Sequence, residues 1–261
     1  MEAGYSLKTS ILNIRLTGYA TDVTGNTLIK RFWNDDPDFQ SFVNYVMQNV
    51  DTRSIGAEFV ASVKINSKLT TTLVVAKGQS FYTNRPSVSI YQDNVPSNIP
   101  VTRDVYIKNY YLGVGPQSIY SVALKYTPGK SWFINLDANY MDDNYVEVSP
   151  DRHTQLASDM VTPNSKQWND IYSQEKLPGA FMMNASLGKS IEISRYTKLL
   201  KNRTLLNINL GINNLLNNTD IKINGFEQLR YDFPNQNPYK FPNKYNYAFG
   251  LNYFLTIGLR F

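Results

Sequence analysis

The chain has 261 residues, with 26 basic and 21 acidic side chains, one histidine and no cysteine, which excludes disulfide frameworks, thiolate metal sites and histidine-cluster metal centres. Hydrophobic residues make up 42% at a mean hydropathy of −0.36, and no stretch approaches the roughly 20 apolar residues of a membrane-crossing helix; an alternating β-barrel escapes that test, because lipid-facing and lumen-facing residues average out. The net charge of +5 is spread along the chain rather than gathered on a basic face, which argues against nucleic acid as a partner.

From the first residues onward the periodicity is two. The start, "MEAGYSLKTS", has no charged, apolar and small-residue succession of a secretory signal, so an export address is expected elsewhere. "EAGYSLK" reads as a first strand. In "ILNIRLTGYATDV", Leu12, Ile14, Leu16, Gly18 and Ala20 oppose Asn13, Arg15 and Thr17. In "SIGAEFVASVKI", Ile55, Ala57, Phe59, Ala61, Val63 and Ile65 oppose Ser54, Glu58, Ser62 and Lys64. "LTTTLVVAKGQSFYT" also reads as a strand, but the run Leu73 to Ala76 leaves its faces open. "QSIYSVALKYTPGKSWFINLDANY" is a strand, a Pro-Gly-Lys turn and a second strand, whose Asn135, Asp137 and Asn139 oppose Trp132, Ile134, Leu136, Ala138 and Tyr140. "FMMNASLGKSI" and "LLNINLGINNLL" follow, the latter setting Asn207, Asn209 and Asn213 against Leu206, Ile208, Leu210 and Ile212. In the last strand, Tyr253, Leu255, Ile257, Leu259 and Phe261 share one face.

The connections alternate. Residues 9–10, 66–68 and 128–130 are short and 192–202 moderate, whereas 24–42, 84–102, 147–177 and 220–243 are long. Tight turns at one end and large loops at the other are the asymmetry of an outer-membrane barrel. The expected fold is therefore all-β: an antiparallel transmembrane β-barrel portion of about nine strands. Asn135, Asp137, Asn139, Asn207, Asn209 and Asn213 are expected to face a wet lumen, and Tyr5, Tyr120, Tyr126, Trp132, Tyr140 and Tyr253 to face lipid, forming parts of the two aromatic girdles.

Few residues suggest further chemistry. "RFWNDDPDF" gathers Asp35, Asp36 and Asp38 without the ligand order of a calcium loop, and no metal or cofactor is expected. In "SPDRHTQ", His153 stands near Ser149 and Asp151 in a loop with nothing to pre-organise a nucleophile, so a solvated histidine and no enzyme activity are expected. Long aromatic loops commonly bind, which makes Trp33, Asp35, Asp36, Tyr91 and Tyr231 candidate ligand contacts from outside. "FEQLRYDFPNQNPYKFP" at 226–242 suits either stacking on a sugar, capping a pore, or packing on itself.

These segments resemble the C-terminal part of the barrel of TonB-dependent outer-membrane receptors, particularly of Bacteroidetes type. The strand pair "EAGYSLKTSILNIRLTGYATDV", the re-entering "NVDTRSIGAEFVASVKIN", the penultimate "LNINLGINNLLNN" and the terminal "YFLTIGLRF" carry the likeness, which runs over essentially residues 1–261. The resemblance implies energy-coupled uptake of a ligand across the bacterial outer membrane and an assembly signal at Tyr253, Leu255, Ile257, Leu259 and Phe261. It also implies partners: outer-membrane lipid, the barrel assembly machinery, a plug domain with the remaining strands, and the TonB complex reached through a missing N-terminal region. Signal peptide, TonB box and plug are absent from the sequence, so a fragment of a larger barrel is expected. Two other readings stand beside it: a small autonomous outer-membrane barrel acting as porin or adhesin, and a soluble carbohydrate-binding β protein.

Overall fold

Alternating side chains pleat the chain into nine strands of one antiparallel sheet, with smaller elements in the long connections. The computed structural model describes all residues except 38, 94–98 and 196–202. In chain order the elements are β1 (Glu2–Lys8), β2 (Leu12–Asn34), β3 (Ser41–Lys64), β4 (Leu69–Tyr82), β5 (Ser87–Gln92), β6 (Val101–Asp104), β7 (Ser118–Gly129) and β8 (Trp132–Asp142). They continue with α1 (Lys166–Tyr172), β9 (Ala180–Glu192), β10 (Leu205–Asn213), β11 (Lys222–Phe226), β12 (Lys244–Tyr247) and β13 (Asn252–Arg260). The main sheet runs β1-β2-β3-β4-β7-β8-β9-β10-β13, so the nine expected strands pair in sequence order. Among the described residues it stays open, with β1 and β13 at its edges.

Register explains why each strand accepts its neighbour. One row across the sheet reads Tyr5, Leu16, Phe59, Val75, Tyr120, Tyr140 and Phe181. Another reads Leu69, Tyr126, Ile134, Leu187, Leu210 and Leu255. Because a one-residue slip would invert every side chain, these rows fix the register strongly. They also place the ambiguous β4 run: Leu73 and Val75 lie on the apolar face, Val74 and Ala76 on the other. All six aromatics expected in the girdles lie exposed on the apolar face.

The opposite face is polar and laterally hydrogen-bonded. Asn135 donates to Ser186 at 2.9 Å, Asn184 and Asn139 donate to Asp137 at 2.8 and 2.9 Å, Ser190 donates to Asn207 at 2.6 Å, and Asn213 donates to Asn252 at 2.9 Å. Aromatic rings on this face lie over glycines: Tyr19 over the paired Gly56 and Gly78, Phe133 over Gly188, and Phe254 over Gly211. A Cβ on Gly56 would stand 2.6 Å from the Tyr19 hydroxyl and 2.8 Å from the Gly78 Cα, so only glycine lets the ring lie flat there.

The expected long connection at 24–42 is a correction. It is strand, because β2 and β3 run for 23 and 24 residues and leave only a tip at 35–40. At roughly 3.3 Å per residue each reaches about 75 to 80 Å, whereas a tilted strand crosses a bilayer in about 9 to 11 residues. Between Val23 and Leu28 each strand carries one extra residue. Gly25 (φ 68°) and Asn49 (φ 55°) supply the left-handed backbone conformations there. An extra residue in each strand exchanges its two faces. Below the bulges Leu12, Ile14 and Leu16 share the exposed apolar face; above them Phe32, Val43, Tyr45 and Met47 are buried on the inner side.

That inner side organises the other long connections. β5 continues the path of β4 along β3 and β6 pairs with β5. Val88, Ile90, Val105, Ile107 and Val148 join Phe32, Val43, Tyr45 and Met47 in one hydrophobic core, with Tyr110, Leu112 and Leu229 packed on it. Among the described residues, the main buried core thus lies between the inner side of the β2–β3 extension and the cap of connections folded against it, above the stretch of wall whose apolar face is exposed. The expected connection at 192–202 lies mostly outside the described residues.

Candidate functional site

The cap is held by six consecutive residues that the sequence disguises. Ser149 to Thr154 are all buried, and His153 has no exposed surface. The solvated histidine expected from "SPDRHTQ" is therefore corrected: a charged run in a polar loop is here the hub on which the other loops pack. His153 Nε2 lies 3.0 Å from Glu227 Oε2, and its ring packs against Tyr110 and Tyr172 at 4.8 and 5.9 Å. Glu227 Oε2 also accepts the Ser149 N–H at 2.8 Å, and Arg152 lies 3.6 Å from Oε1. Burial opposes ionisation of Glu227, but His153, Arg152 and the Ser149 amide outweigh it and hold the carboxyl below its ordinary range.

Asp151 faces the other way. Asn34, at the end of β2, donates to it at 3.1 Å, and Arg103 of β6 lies 3.7 Å away while bonding Asp36. Burial pushes the Asp151 carboxyl up to about 7, against the pull of Arg103 and with Asp36 adding to the rise. Arg152 donates to the carbonyls of Ile171 and Asp170 at 3.2 and 2.6 Å, tying the hub to α1. The helix starts where Ser165 caps the Trp168 N–H. Four segments distant in sequence thus converge on one buried polar chain, in which each charged residue has a partner of opposite charge although Arg103 Nη1, Ser149 Oγ, Asp151 Oδ1 and His153 Nδ1 make no hydrogen bond.

Beside the hub, residues 170–175 and 238–245 enclose a cleft of about 480 Å³ with Arg152 and Glu227 at its floor. Two rims repeat one chemistry. Tyr239 bonds Asp170 beneath the Lys166 ammonium, while Tyr245 donates to Glu175 at 2.7 Å with the Lys222 ammonium 3.5 Å from its ring centroid. A wall of tyrosines, carboxylates and amides with prolines 238 and 242 offers many hydrogen bonds and flat apolar faces, the lining of a polar-ligand site. Ser149 Oγ and His153 Nδ1 are both buried and make no hydrogen bond, so they form no nucleophile–base pair in this conformation. Among the described residues, no three histidine or carboxylate groups gather as metal ligands.

The residues expected from sequence separate. Trp33 and Tyr91 share the outward face of the strand extension, where Trp33 meets Phe42 edge-on at 5.5 Å. Asp35 is engaged by Arg230 at 2.7 and 2.8 Å, and Asp36 is buried against Arg103. Tyr231, expected to reach a ligand from outside, is 2% exposed and donates its hydroxyl to the Ala157 carbonyl at 2.8 Å. It packs edge-on against Phe233 at 5.1 Å, so 226–242 is in good part self-packed. The six polar residues expected to face the lumen share the hydrogen-bonded inner face, where Asn209 lies opposite Gly188. Tyr253, Leu255, Ile257, Leu259 and Phe261 are all exposed, Tyr253 at 77% and Ile257 at 63%. Sequence reasoning missed Arg103, Arg152 and Glu227 and placed His153 in water; no local spacing links positions 103, 152–153 and 227.

No protein-family model matches the chain, and no curated protein matches it. Among solved structures it is similar to a copper transporter, OprC, with a TM-score of 0.52 and 13% sequence identity over 99% of this chain and 30% of that one. The likeness is one of fold, and the chain spans about 30% of that transporter's length.

Proposed function

We propose that this chain forms the C-terminal wall and part of the outer cap of a TonB-dependent outer-membrane transporter, of the Bacteroidetes type that its strand segments resemble. One observation carries the reading. The nine-strand main path of the antiparallel sheet exposes apolar rows on one face and a hydrogen-bonded polar face on the other, and among the described residues no second layer covers its apolar face. Exposed apolar patches of this extent call for a covering phase, and lipid meets that need while the polar face lines a wet interior. The open β1 and β13 edges support a larger closed barrel, because unpaired backbone groups in hydrocarbon each cost several kcal/mol.

In this role the chain binds and conducts and performs no covalent chemistry. The cap folds toward the polar side, where the cleft between 170–175 and 238–245 gives an arriving solute its first contacts. Further strands and a plug would complete the gate, and TonB would supply the energy to move it. The bound solute is a polar one; the likeness to a copper transporter does not extend to a copper site here.

The test is made in the source bacterium on the polypeptide that carries residues 1–261 at its native length. The reading requires recovery in the outer-membrane fraction and solute uptake that stops when TonB is removed. Recovery as a soluble protein would defeat the membrane reading, and uptake indifferent to TonB would defeat the energy coupling.

A further inference from the structure

The outer side of the wall carries a pocket that the transport reading does not use. It measures about 310 Å³ and lies where β3 and β4 meet the segments at 111–117 and 143–145. Ile55 and Gln79 are partners on the apolar face, and Lys77, opposite Ser118, follows two residues above Val75. Tyr111 joins this face by bridging to Phe81, and Tyr145 stacks on it with centroids 4.1 Å apart and planes 17° apart. The pocket therefore opens just above the paired Tyr120 and Tyr140 rings, which are 6.3 Å apart.

Its chemistry narrows the occupant. Gln79 donates to the Tyr111 hydroxyl at 3.4 Å, and Asp143 accepts Lys176 at 2.7 Å and Ser118 at 2.6 Å. Lys77 and Lys176 balance Asp142 and Asp143, so no net positive field selects an anion. Planar amides, carboxylate and tyrosine rims suit hydroxyl groups and the apolar face of a sugar ring. The volume stands at the low end of the roughly 300 to 1,000 Å³ of ligand pockets, room for a headgroup and not for a chain. Directly below, Val75, Tyr120 and Val122 form an apolar strip along which acyl chains can lie.

We propose that this pocket holds the neutral saccharide head of a membrane amphiphile, with its acyl chains against the wall below. The proposal rests on the outer-membrane barrel reading. In the test, the native-length polypeptide is extracted in a detergent without sugar and offered monoglucosyl diacylglycerol or phosphatidylglycerol of identical chains. Retained lipid is counted by native mass spectrometry. The glucosyl lipid is expected to be retained roughly fivefold over phosphatidylglycerol, a ratio lost in Tyr145→Ala and largely restored in Tyr145→Phe. Gln79→Ala, at an exposed position, gives a second variant should Tyr145→Ala fail to assemble; it too is expected to lower the ratio. Equal retention of the two lipids, or a ratio unchanged in both variants, would overturn the proposal. So would displacement of the glucosyl lipid by an equal concentration of methyl glucoside, which would mark a site for a soluble sugar. Recovery of the polypeptide outside the membrane would overturn the barrel reading as well, whereas membrane recovery without glycolipid preference removes this proposal alone.

Discussion

Replacing Glu227 with alanine should open the cap while leaving the strand wall intact. The carboxylate is the common acceptor for His153 at 3.0 Å and the Ser149 amide at 2.8 Å, and it balances Arg152 at 3.6 Å. All four groups are buried or nearly so. Removing one partner from a buried charged cluster typically costs about 3 to 5 kcal/mol, because the others are left desolvated and unpaired. At about 1.4 kcal/mol per tenfold, the cap should open roughly 10² to 4 × 10³ times more often. Hydrogen exchange on the purified native-length protein reads this directly: amides at 149–157 and 227–233 should exchange faster by that factor, while β8, β9 and β10 should not change. Glu227→Gln keeps a carbonyl acceptor and should cost markedly less. If Glu227→Ala leaves exchange at 149–157 unaltered, the hub does not hold the cap and the reasoning fails.

The buried Asp151 gives the cap a pH dependence. Its carboxyl is raised from 3.8 to about 7, so the folded cap favours the protonated form; stability is fully present below about pH 4 and falls as pH rises toward and through 7. Exchange in the cap, corrected for intrinsic rates, should be slower at pH 5 than at pH 8, and Asp151→Asn should flatten that difference. Gly56→Ala should lower the yield of assembled protein, since the new methyl would meet the Gly78 Cα and the Lys77 carbonyl at 2.8 Å, an overpacking worth about 1 to 3 kcal/mol. Gly258→Ala, whose methyl would meet nothing within 4 Å, should assemble normally on the same gel; equal yields would discard the ring-on-glycine account. Deleting Phe261 from the native-length polypeptide should reduce its insertion into outer membranes, and unchanged insertion would count against an assembly signal at this end.

What the sequence disclosed was whatever depends on neighbours two residues apart. The rows through Leu16, Phe59, Tyr120 and Tyr140 were visible because alternation and register are one pattern seen twice. The cap was hidden for the opposite reason. Its bonds join partners far apart in the chain: Asp35 meets Arg230 across 195 residues, Asn34 meets Asp151 across 117, and His153 meets Glu227 across 74. A polar segment reads as solvated until its partners are known, so His153 and Tyr231 were expected in water and lie buried. The continuation of β2 and β3 through 24–42 escaped because the bulges invert the alternation there. Once Gly25 and Asn49 are seen as the points of exchange, Phe32, Val43, Tyr45 and Met47 resolve into a second apolar face.

Under the proposed outer-membrane reading, that inversion would also bear on how deep the wall sits. Below the exchange point the outward side chains run from Leu12, Ile14 and Leu16 up to the Asp22–Arg53 ion pair; above it exposed Ile29, Trp33 and Phe42 stand beside Arg31 and Asn44, which bond Asp93. In that setting, sinking the sheet would carry the Asp22–Arg53 pair toward hydrocarbon, while raising it would bring Leu12, Ile14 and Leu16 toward water. The two extra residues, one in β2 between Val23 and Asn26 and one in β3 between Met47 and Val50, thus mark the level at which the sheet trades its outward apolar face for an inward one; in the proposed transporter that level would separate the lipid-facing wall from the mouth above it.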